Sequence, residues 1–165
     1  MALEGRALRL IRPEDPAPRK LFCGHCAHSP QIAPGVTLGS RVCGDCGLGL
    51  LLEAAVDVAP GPADPFLVVD HAMSISAVSR RAEQLLAVAE PDVVGTHLKD
   101  HLTPADTDTP AAQSFFTQVL LAASGNGAPT TVAVRPAGVF GVRYWARVAN
   151  CGPSNAALLL LVTMD

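Results

Sequence analysis

Four of the five cysteines lie in two matching turns, Cys23-Gly-His-Cys26 and Cys43-Gly-Asp-Cys46. A Cys-x-x-Cys turn lets two sulfurs approach one ion from the same side, and a second such turn completes a tetrahedron. The stretch between the pairs, residues 27–42, has the length found in four-cysteine zinc sites. Pro30, Pro34, Gly35 and Gly39 make it too broken for a helix, so it reads as a hairpin linking two metal-binding knuckles. Gly24, Gly44 and Gly47 suit the tight, partly left-handed backbone of such knuckles; the first turn has Ala27 where the second has Gly47. Cys23, Cys26, Cys43 and Cys46 are therefore expected to hold one structural zinc ion. A set of four protein thiolates leaves no position open for water, which argues against a catalytic metal. His25 and His28 are expected to be bystanders, with His25, between two ligands, pointing outward. Two disulfides or a redox-active pair are the competing readings. Disulfides fit poorly with a chain expected in the cytoplasm, and a thioredoxin-like motif occurs once, beside a βαβ unit.

These turns need a body to hold them. Apolar residues make up 49% of the 165-residue chain, so a core is available, and aromatics at 4% leave it to be built from Ala, Val and Leu. A formal net charge of −3 gives no general attraction for nucleic acid or an anionic membrane. Arg6, Arg9, Arg12, Arg19 and Lys20 form a local basic cluster, but Glu4, Glu14 and Asp15 are mixed in, so it reads as a solvated arm. No apolar stretch reaches the roughly 18 residues a membrane helix needs. The first residues lack the charged-then-apolar order of a signal peptide.

After Cys46, "GLGLLLEAAVDVA" (47–59) spaces Leu48, Leu51, Leu52, Ala55 and Val56 at three and four residues and predicts a helix. It is apolar enough to need covering, by the sheet that follows or by its twin in a dimer. "PGPADP" (60–65) breaks it and marks a boundary. "PFLVVD" (65–70) and "MSISAVS" (73–79) predict two strands in a hairpin. Ser79 is placed to cap the helix "RRAEQLLAVA", with Glu83 nearby. A turn and short helix (91–102) and an amphipathic helix (110–124) follow. Strands over 129–137, 140–150 and 155–164 finish the chain, with Gly138 and Gly152-Pro153 at the turns. The expected fold class is α+β: a five-stranded antiparallel sheet with helices on one face.

Residues 20–50 resemble a zinc ribbon. Residues 64–165 resemble a PAS domain, through "VVD" at 68–70, "ISAVSRRAEQLL" at 75–86, "VGTHLKDHL" at 94–102 and the long helix followed by three strands. The division that results is an arm (1–19), a zinc ribbon (20–46), a connecting helix and linker (47–63) and a PAS-like domain (64–165). The resemblance implies a regulatory or sensory role, with an unidentified small molecule in the PAS pocket or a protein partner, a second copy of the chain included. The ribbon would then provide docking or stability. One alternative is a nucleic-acid-binding regulator using the ribbon and the arginine arm. Another is a haem sensor with His97 or His101 as axial ligand, against which stands the ordinary role of these residues as surface or capping histidines. Light-driven flavin chemistry is excluded, since no cysteine lies between 47 and 150. Cys151 reads as a buried thiol. Asp106 and Asp108 sit in a Thr/Pro-rich loop as capping or solvated groups. With no phosphate loop and no nucleophile paired with a base, the chain is not expected to be an enzyme.

Overall fold

The computed structural model of the chain describes residues 17–33, 35–36, 38–106 and 110–164, the side chains of 110–113 excepted. Of the features above, Glu4, Arg6, Arg9, Arg12, Glu14, Asp15, Pro34 and Asp108 lie outside the described residues.

Strand β1 (Arg19–Cys23) pairs antiparallel with β2 (Leu51–Ala55), Arg19 opposite Ala55 and Cys23 opposite Leu51. The helix expected over 47–59 is therefore not formed. Leu48 and Val56, two of its five stripe residues, are exposed. Gly47 takes φ +68°, which breaks a helix at its first turn. The stretch then finds backbone partners on both sides: β1 along its length, and the later strand β7 through Glu53–Gly152 and Ala54–Cys151. Intrinsic helix preference is a weak prior of well under ~1 kcal/mol per residue, and two hydrogen-bonded ladders override it.

After turns at 60–65, the run Phe66–Val69 forms β3, buried at all four positions. Asp70 Oδ1 accepts the N–H groups of Ala72 and Ser74 at 2.8 and 2.9 Å, turning the chain into β4 (Ile75–Val78). Ser79 then starts α1 (Arg80–Leu86) as expected: its Oγ accepts from Ala82 N at 3.1 Å. The same oxygen accepts from Phe66 N at 2.9 Å, tying the helix start to β3. Glu83 does not cap this helix; its carboxylate accepts the Glu90 N–H that opens α2 (Glu90–Val93). A 3-10 turn (Leu98–Asp100), a short strand β5 (Leu102–Pro104) and α3 (Pro110–Ala123) precede β6 (Thr130–Pro136), β7 (Tyr144–Gly152) and β8 (Ala156–Thr163).

The five expected strands lie in the antiparallel order β4-β3-β8-β7-β6, with helices on one face, so the fold is α+β with the PAS-like sheet the resemblance implied. Three further strands join the same sheet: β5 beyond β6, and the β1–β2 pair beside β7. One edge of β7 is shared, its Tyr144–Val148 half going to β6 and its Cys151–Gly152 end to β2.

Strand alternation sends two sets of side chains to two cores. Leu67, Val69, Ile75, Val148 and Leu159 face inward and are covered by Phe115 and Val119 of α3. Phe66, Val68, Ala149, Cys151 and Leu158 face the other way, where Phe22, Ala54 and Val58 of the cysteine-bearing segment cover them. Phe22 and Phe66 meet edge to face, ring centroids 5.6 Å apart.

Candidate metal centre

The two Cys-x-x-Cys turns are closed by the same hydrogen bond. Ala27 N donates to Cys23 O at 3.0 Å, and Gly47 N donates to Cys43 O at 2.9 Å. Both closing residues are left-handed, Ala27 at φ +59° and Gly47 at φ +68°. Left-handed backbone costs a non-glycine residue about 1–2 kcal/mol. Burial in the first turn offsets this cost: Ala27, 2% exposed, packs into the outer core with Phe22.

This symmetry brings the four Sγ atoms within 4.8 Å of one another. Cys23 and Cys46 are 3.7 Å apart, and Cys26 and Cys43 are 3.9 Å apart. A tetrahedron of sulfurs about ~2.3 Å from a central zinc has edges of roughly 3.8 Å. Disulfide sulfurs would be near 2.05 Å; all five cysteines are free thiols. The residues therefore fit one tetrahedral ion with a soft ligand set. Backbone N–H groups point at the sulfurs from His25 and Cys26 onto Cys23, at 3.4 and 3.5 Å, and from Gly49 onto Cys46, at 3.5 Å. Burial pushes the Cys23 thiol up and takes Cys26 up to about 12. At Cys46 burial is outweighed by the N–H groups of Gly49 and Leu48, which bring the thiol down to about 6. Four thiolates this close would repel one another, and a cation between them would offset that repulsion and deprotonate its thiols outright.

Two residues that the spacing did not single out stand against this centre. Gly49 lets the second knuckle close on the first: a Cβ there would run into Cys23 Sγ and lie 2.8 Å from His25 Cβ. Glu90 faces His25, its Oε2 3.2 Å from Nδ1, although that ring nitrogen is not aligned for a hydrogen bond. His25 thus corrects the expectation that it points outward. It is buried, and its carbonyl accepts the N–H of Arg80 at 2.9 Å, so the first knuckle is pinned to the start of α1. The "GLG" after Cys46 was the available signal for Gly49; nothing near Glu90 in the sequence marks it.

The other candidates are structural. His97 and His101 do not share a helix face; they bracket the 3-10 turn. His97 Nδ1 caps it, accepting from Lys99 N at 3.1 Å, and His101 Nε2 lies 2.7 Å from Thr96 Oγ1. Cys151 is fully buried against the outer core, and burial pushes its thiol up to about 12, so it remains neutral. Arg19 pairs with Glu53 at 3.3 Å beside Gly152. Asp106 lies 3.4 Å from Arg143. Among the described residues no helix is long and apolar enough to cross a membrane.

No protein-family model matches the chain, and no curated protein matches it. Among solved structures it is similar to the PAS domain of the Cronobacter turicensis quorum-sensing receptor RpfR in complex with BDSF, at 13% identity and TM-score 0.47, covering 66% of this chain and 100% of that one. It is similar also to the PAS domain of nitrogen regulation protein NR(II) from Vibrio parahaemolyticus, at 18% identity and TM-score 0.45, covering 62% and 90%. A third similar structure is a domain of an HTR-like protein from Haloarcula marismortui, at 16% identity and TM-score 0.44, covering 62% and 99%.

Proposed function

We propose that the chain is a regulatory, non-enzymatic sensor in which a structural zinc ion, held by Cys23, Cys26, Cys43 and Cys46, fixes a ribbon against a PAS-like body that receives a small ligand or a protein partner. The observation that carries this reading is the close approach of the four sulfurs, within 4.8 Å of one another, on a segment whose strand β2 pairs with the body's β7. Zinc has no redox chemistry, and the four-thiolate set gives it no open coordination position; its contribution is to fold the ribbon. The chain's own residues do the rest: Gly49 permits the closure, the Arg80 N–H anchors the first knuckle through His25 O, and Phe22 and Val58 seal the outer core.

The test is native mass spectrometry combined with thiol counting on the full chain at neutral pH. One zinc per chain is expected, with none of the five thiols reacting. After chelation four thiols should react, and Cys151 should remain silent until the chain is denatured, as its burial and raised pKa require. A chain without metal whose four knuckle thiols react freely in the folded state overturns the assignment.

A further inference from the structure

A cleft of about 650 Å³ separates the cysteine-bearing segment from the outer face of the sheet. That volume is in the range of small-molecule sites. Val68, Ala77 and Ala156 form its floor, and Leu48, Leu50 and Leu52 its wall. Leu48 and Leu50 stand 71% and 56% exposed there, apolar surface that an occupant would cover. The charges around the cleft are unevenly satisfied. Asp70 Oδ1 already accepts two backbone N–H groups, and Glu90 faces His25. The Arg41 guanidinium at the rim has no partner among the described residues. The inner face, between sheet and helices, is by contrast packed with buried side chains such as Phe115, Val119, Ile75 and Leu159.

We propose that this outer cleft binds a small amphiphilic anion, its apolar body against Leu48, Leu50, Val68 and Ala77 and its carboxylate on Arg41, and that its occupancy is linked to the metal. The linkage is built into the wall. Leu48, Gly49 and Leu50 follow Cys46 after the single residue Gly47; Gly49 O accepts Cys43 N at 2.8 Å, and Leu50 O accepts Gly24 N at 2.9 Å. A ligand that needs this wall in place binds the metal-closed form better, and by reciprocity it retains the metal. The linkage rests on the zinc reading above; the cleft and its charge preference do not.

The experiment titrates octanoate, octanol and octylammonium into the full-length, ¹⁵N-labelled, zinc-loaded chain and follows amide shifts. Octanoate is expected to move Gly24, Gly49, Leu50, Ala77 and Ala156, and to bind about tenfold more tightly than octylammonium, the effect of one charge-assisted contact. Arg41→Glu should invert that order, and Leu50→Asp should weaken all three probes while zinc is retained. Shifts confined to Phe115, Val119 and Leu159, octylammonium binding as tightly as octanoate, or no shifts with any probe would each overturn the cleft proposal. Chelation should abolish the octanoate shifts at Gly49 and Leu50; octanoate binding that survives zinc removal overturns the linkage. A chain that carries no zinc on purification yet binds octanoate in the cleft sinks the metal reading and leaves the cleft standing.

Discussion

At the scale of single residues, the centre depends on how closely two backbones approach as much as on four sulfurs. Gly49 has no unusual φ, so its need is not conformational freedom. It is space: a Cβ would meet Cys23 Sγ, with His25 Cβ at 2.8 Å and His25 N at 2.9 Å, and two of those three atoms cannot swing away. Gly44, at the tip of the second knuckle, has nothing within 4 Å of where its Cβ would stand. Gly49→Ala is therefore expected to cut bound zinc well below one per chain and to lower Tm by several degrees. Gly44→Ala should keep its zinc and stay within about 0.5 kcal/mol of the parent. Metal analysis and thermal unfolding of the two variants check this, and a Gly49→Ala chain with full zinc and unchanged Tm sinks it. The four cysteines were legible because a Cys-x-x-Cys turn carries its chemistry in four consecutive residues. Gly49 and Glu90 were not, because what constrains each of them is a group brought near only by folding: Cys23 for the one, His25 for the other.

At the scale of elements, the reading went furthest where a signal is local. Ser79 ahead of an apolar helix predicted a cap, and Ser79 is the cap. Strands are expected over 129–137, 140–150 and 155–164, the middle one from its alternation, and a strand forms in each, the middle one starting only at Tyr144. The stretch 47–59 went the other way: a helical spacing of Leu and Ala is no match for backbone partners on two sides, and those partners, β1 and β7, lie far away in sequence. Strand β5 was missed for a like reason, since its three residues are held by pairing with β6. Ser79 also shows why a local signal understates what a residue does. Its Oγ serves both Ala82 N at the helix start and the buried N–H of Phe66 in β3. Ser79→Ala should thus lose a cap worth about 1 kcal/mol and also strand a buried donor, for a combined cost of about 2–3 kcal/mol. Ser76→Ala, which removes a single bond from an otherwise exposed hydroxyl to Val68 O at 3.2 Å and leaves no buried donor stranded, should cost only about 1 kcal/mol. Urea unfolding of both gives the comparison; equal midpoints would mean that the second bond of Ser79 contributes nothing.

At the scale of the molecule, the composition break at 60–65 suggests two bodies, whereas the packing makes one. The β1–β2 pair shares the edge of β7 with β6, and Phe22 and Val58 roof the same outer core that contains Phe66, Leu158 and Cys151. A ligand that binds only the folded state stabilises it by mass action. If the zinc holds the ribbon, removing it costs stability that the sheet also draws on. Chelation is expected to lower Tm as one cooperative transition and to speed amide exchange in β3 and β8 as well as in the knuckles, because Phe66, Val68 and Leu158 lose their cover. Phe22→Ala should reproduce much of this with zinc still bound, at about 3–5 kcal/mol for a fully buried phenyl ring. Calorimetry and hydrogen exchange on parent, chelated parent and Phe22→Ala decide it. Two separate transitions, or protection of β3 and β8 that survives chelation unchanged, would mean the ribbon and the sheet are energetically independent, and that a signal at the cysteines has no route into the sheet.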